Sequence, residues 1–149
     1  MMDMKKFWRL VDTAACEDIA HRTEKIEALL MTYSAEEVQE FNHILQTLIQ
    51  AASQITAIFD AFAMIHDNSY HHDDFIACLV SAGKEAYLKV TKKPTPQTIG
   101  HYYGGETGLE EYAYVPSSVY EKKTGNSLIE YREPYHLPYT WLSSVAQLY

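Results

Sequence analysis

The side chains best suited to chemistry gather around position 70, where His66, His71, His72, Asp73 and Asp74 fall in one short stretch. Imidazoles and carboxylates together are the donor set of a zinc-type or other divalent site, and His66, His71, His72 and Asp73 are the candidate ligands. With an open coordination position such a site would hydrolyse; closed by four ligands it would be structural. The spacing argues against it. A helix presents paired ligands at i, i+3 or i, i+4, whereas His71 and His72 are adjacent and point apart, and His66 joins them only if the turn over 67–70 folds back. The competing reading is that Asp73 and Asp74 cap a helix start, accepting orphan N–H groups at the favourable end of the dipole, with the histidines as turn residues.

Glu36, Glu37, Glu110 and Glu111 fall in adjacent pairs. That is the pattern of solvated helix faces, not of two carboxyls held in opposed environments for acid–base work. No nucleophile elbow, phosphate loop or catalytic Cys/His pattern occurs, so no catalytic residue and no cofactor is assigned. Cys16 and Cys78 lack C-x-x-C spacing and read as reduced thiols, with Cys78 on a buried helix face. Nine tyrosines lie beyond Gly100. Of these, Tyr102, Tyr103, Tyr112, Tyr135 and Tyr139 are the candidate interaction surface, because a phenol combines large contact area with a polar tip; the same property suits packing of a chain with little regular structure.

The elements that must position these residues read as helices. Met4, Phe7, Trp8 and Val11 recur at helical spacing over 3–12, and a second pattern runs through Ile26, Leu29 and Leu30 toward Tyr33. Ser34 with Glu37 is a capping-box signature. From there Val38, Phe41, Leu45, Leu48, Ala52, Ile55, Phe59 and Phe62 form the longest apolar stripe. A single rod over it would be roughly 45 Å long, too much for a compact domain of this size, so a break is expected near Ala51-Ala52-Ser53. Another helix is expected from Asp73 through Gly83 to Lys93, ended by Pro94 and Pro96, with Gly83 inside it allowing close helix packing. The run 100–108 reads as loop, 109–123 as partly helical with Pro116 at a helix start, and the aromatic, proline-containing segment beyond Asn126 as extended chain with a short strand possible over 127–131.

These motifs resemble an uncharacterised bacterial family, domain-of-unknown-function family 4240. The likeness rests on Phe7-Trp8-x-Leu10-Val11-Asp12, on Ser34-x-Glu36-Glu37 with Phe41, on Asp73-Asp74-Phe75 leading to Leu79-Val80-Ser81-x-Gly83-Lys84-Glu85-x-Tyr87, and on Glu110-Glu111-Tyr112-x-Tyr114-Val115 and Val119-Tyr120-Glu121-x-Lys123-Thr124-Gly125. It spans roughly residues 4–125. In this chain Cys78 stands where the family's segment carries tryptophan, and Ile76 and Ala77 where it often carries arginine. The resemblance implies a small, mostly helical protein and no particular activity.

With 149 residues and 47% hydrophobic content the chain has enough apolar material for one domain without disulfide staples. The expected fold is a single all-α domain, a bundle of five or six helices centred on 34–62, with an irregular aromatic C-terminal tail. A formal charge of −8 with scattered basic residues leaves no nucleic-acid footprint, and no membrane-spanning run or leader is apparent, so a cytoplasmic setting is expected. The leading functional expectation is a non-catalytic interaction or regulatory protein with a protein partner. Its narrower form is an immunity-type inhibitor whose acidic surface covers a basic toxin.

Overall fold

In the computed structural model, which describes residues 1–16, 18–65, 72–102 and 111–129, all regular structure is helical. The elements are α1 (Met4–Ala14), α2 (Ile19–Met31), α3 (Ala35–Ser53), α4 (Thr56–Ile65), α5 (His72–Ser81), α6 (Lys84–Lys92), α7 (Pro96–Tyr102) and α8 (Glu111–Thr124). The described residues thus hold eight helices and no strand, rather than five or six helices. The excess arises at two places where the chain breaks or restarts a helix for identifiable reasons.

The first is Gly83. Periodicity carries the 73–93 pattern through as one helix, but Gly83 has φ 114° and ψ 169°, which no right-handed helix accommodates, so α5 ends at Ser81 and α6 begins at Lys84. The second is Pro96, which opens α7 rather than merely ending its predecessor. Thr95 accepts from the Thr98 N–H at 3.2 Å while Thr98 Oγ1 accepts from the Thr95 N–H at 3.0 Å, a reciprocal cap with proline at the first helical position. Pro116 also departs from expectation, lying inside α8 instead of at its start. The expected break after Ala52 is present: α3 and α4 meet at a bend of 78°. Ser34 caps α3 as its signature requires, accepting from the Glu37 N–H at 3.1 Å.

The core is held by an aromatic chain that crosses three helices. The Phe41 ring on α3 lies 4.6 Å from Phe7 on α1, Phe7 meets Trp8 edge-on at 5.1 Å, and Trp8 lies 5.8 Å from Tyr87 on α6. Tyr87 then closes the circuit by donating its hydroxyl to the Leu48 carbonyl of α3 at 2.8 Å. A salt bridge from Lys6 to Glu37 ties α1 to the start of α3 at the surface. Although 34–62 supplies the longest stripe, the most enclosed element is α5. Every residue from Phe75 to Ser81 is buried, as expected of a helix that is apolar all round and has neighbours on every side. Helices α1, α2, α3, α6 and α8 all pack on it. Among the described residues no single helix is long and apolar enough to cross a membrane.

Candidate functional site

Motif residues far apart in the sequence meet where α1, α2 and the α5–α6 junction converge. Asp12, near the end of α1, accepts from the Lys84 N–H at 3.1 Å and so caps α6, whose own N-cap, Gly83, has no side chain to do so. One turn back, Ser81 Oγ donates to the Cys78 carbonyl at 2.5 Å and accepts from the Arg22 guanidinium at 3.2 Å. Arg22 also donates through Nε to the Cys16 carbonyl. The arginine of α2 therefore ties the α1–α2 connection to the end of α5. Tyr112 of α8 is buried near this cluster, and its hydroxyl has no hydrogen-bond partner among the described residues.

The electrostatics follow from enclosure. Burial pushes the Tyr112 phenol far above its ordinary range; the Arg22 charge opposes this and the Asp12 charge adds to it. Burial likewise raises the Cys78 thiol, against the Arg22 charge and hydrogen bonds with Ser81 and Arg22. A thiol held in its neutral form is a poor nucleophile. Ellman's reagent at neutral pH should therefore titrate the half-buried Cys16 first and reach Cys78 only as the protein unfolds. Two thiols reacting at equal rates in the native protein would contradict this burial.

Two surface features adjoin the core. A pocket of about 710 Å³ opens beside α1 and the start of α6, with Lys5, Trp8, Arg9, Asp12 and Lys84 in its lining. Two adjoining depressions of about 400 and 520 Å³ run between α3 and α8 and share Gln46, Ala113 and Tyr114. Tyr114 stands 63% exposed between them, and Ile129, equally exposed, borders the second.

Most of the residues singled out from the sequence fall outside the described part of the chain. His66, His71, Tyr103, Tyr135 and Tyr139 lie outside the described residues, as do the side chains of His72 and Asp73, whose backbone opens α5. Among the described residues no group of three or more His, Cys, Asp or Glu side chains is placed to hold a metal ion. Tyr102 is half-buried, packed on the core with its ring edge-on to His101 at 4.7 Å. Tyr112, placed on an interaction surface by sequence reasoning, is instead 1% exposed, and the exposed tyrosine of α8 is Tyr114. The signal was present: Tyr112, Val115, Pro116 and Val119 follow i, i+3, i+4, i+7 and are the buried face. Arg22 carried no such signal, and the cap from Asp12 spans 72 residues of sequence.

No curated protein and no solved structure matches the chain. A family model, described as a protein of unknown function, DUF4240, matches residues 2–122, which contain Asp12, Arg22, Ser81, Gly83 and Tyr112. With most of its length covered by that model, the chain belongs to the DUF4240 family.

Proposed function

We propose that the chain is a non-catalytic interaction module that docks a basic surface of a partner protein on its α3/α8 face. The observation that carries this reading is Tyr114. A helix that buries Tyr112, Val115 and Val119 presents this large aromatic ring to water, between two depressions that could seat an apolar side chain from a partner. Charge sets the chemistry of that partner. The chain carries a formal −8, Asp74 lines one depression, and among the described residues no lysine or arginine lines either. A cationic rim around an apolar anchor is complementary to such a surface and would be steered to it at low salt.

The test begins with a photo-crosslinking residue at position 114 in the native host, with position 64 as control because Met64 is more exposed still. The partner captured at 114 alone is then purified, and its affinity is measured calorimetrically. Tyr114→Ala should weaken binding by about 30-fold or more, the scale of a central aromatic anchor, without moving the melting temperature. Added salt should weaken it further. Equal capture at both positions, or an affinity indifferent to Tyr114→Ala, would overturn the assignment.

A further inference from the structure

We infer that the partner segment docked on the α3/α8 face is an extended strand, held through its main-chain amides by the carboxamides of Asn42, Gln46 and Gln50. These side chains stand at i, i+4 and i+8 on α3, and they line the two depressions in succession, Asn42 and Gln46 the larger, Gln46 and Gln50 the smaller. Each step of four residues rises about 6 Å along a helix, while two residues of an extended strand advance about 6.5 Å. From Asn42 to Gln50 the helix therefore rises about 12 Å against about 13 Å for four strand steps, a mismatch that flexible side chains absorb. Alternate residues of a strand turn both N–H and C=O to the same edge, and a carboxamide carries the matching acceptor and donor. One side chain thus serves one residue, and the row grips a stretch of about five.

The carboxamides are accessible for this exchange. Gln46 and Gln50 are exposed and Asn42 is half-buried. Gln46 Nε2 donates to Asn42 Oδ1 at 3.4 Å, near the long limit of a hydrogen bond, so little is lost when a main-chain carbonyl takes the place of that acceptor. The facing wall belongs to α8, where the small Ala113 and Ser117 let a backbone approach and Tyr114 stands between the depressions. A helical segment has no use for such a row, because its main-chain groups are bonded internally. Recognition through the main chain is indifferent to side-chain identity, so selectivity falls to the apolar anchor beside Tyr114 and to its basic neighbours. The inference rests on the docking reading of this face and adds the conformation and the bonding of what docks there.

A library of random heptapeptides displayed on phage and selected on the immobilised full chain supplies the probe. The tightest peptide is synthesised in two N-methylated forms, one modified at its odd residues and one at its even residues, because each pattern blocks the donors of one strand edge and spares the other. One form should lose about tenfold or more in affinity and the other little. Gln46→Ala combined with Gln50→Ala should weaken the unmodified peptide by about tenfold or more, the scale of two or more lost hydrogen bonds, and leave the melting temperature in place. Gln97→Ala, at an exposed position of α7, is the control and should change nothing. Equal losses from the two methylation patterns would overturn the strand. So would an affinity that falls with Tyr114→Ala but not with Gln46→Ala and Gln50→Ala, a result that leaves the docking face standing. Indifference to all three substitutions would remove both readings. A library that yields no peptide, or neutral oligosaccharides bound by the same carboxamides in its place, would also overturn the inference.

Discussion

Phe7→Ala should remove roughly 3–5 kcal/mol of folding stability, a large share of the roughly 5–15 kcal/mol that holds a domain of this kind together. Phe7 is fully buried and is the middle member of the aromatic chain, touching Phe41 on one side and Trp8 on the other. Its truncation opens a void between α1 and α3, and it also ends the edge-on contact that helps place Trp8 against Tyr87. The surface tie between Lys6 and Glu37 is too exposed to compensate. In a denaturant titration the midpoint should fall while the slope stays constant, the sign of lost stability without a changed denatured state. Phe7→Leu keeps most of the volume and should lose far less. If the two substitutions lost the same small amount, α1 would not be docked by these rings.

Where the sequence was readable, a local rule coincided with tertiary need. Ser34 and Glu37 announce the start of α3 because capping is a contact over three residues, and the break after Ala52 follows from the length of the apolar stripe alone. Phe7 and Trp8 were legible as a docking face for the same reason: their spacing leaves them on one side of a helix. The misses have equally physical origins. A helical period runs through Gly83 undisturbed, since an apolar pattern records which residues are buried and not the sign of a dihedral angle. Pro94 and Pro96 were read as a stop, although Thr95-Pro96-Gln97-Thr98 also has the chemistry of a start. The segment that forms α5 was read as a helix with one buried face and the centre was placed over 34–62, because the enclosure of α5 depends on five neighbours that no local pattern names. The polar junction was the least legible part. Asp12, Ser81, Gly83 and Lys84 appeared as separate motif residues and Arg22 in none, and what joins them, an Asp12 carboxylate on the Lys84 N–H and an Arg22 guanidinium on Ser81, exists only once the helices have packed.

Gly83→Ala distinguishes the two readings of this region by sign. Were 73–93 a continuous helix with Gly83 in its interior, alanine would stabilise it by about 1 kcal/mol, the propensity difference between the two residues. The structure demands the opposite. At φ 114° an L side chain is strained, at about 1–3 kcal/mol, and an added Cβ would stand 2.7 Å from Asp12 Oδ1. The carboxylate can retreat only by releasing the Lys84 N–H, which forfeits a cap of roughly 0.5–2 kcal/mol. A net destabilisation of about 2–4 kcal/mol is therefore expected for Gly83→Ala, and of about 1 kcal/mol for Asp12→Ala alone. Because the clash and the cap share one carboxylate, the double variant should lose less than the two single losses combined, a coupling that a double-mutant cycle by chemical denaturation measures directly. The backbone strain remains in the double variant, since removing Asp12 relieves the contact and not the dihedral angle. A Gly83→Ala protein more stable than its parent would mean that α5 and α6 are one helix, and that the junction with Asp12 does not form.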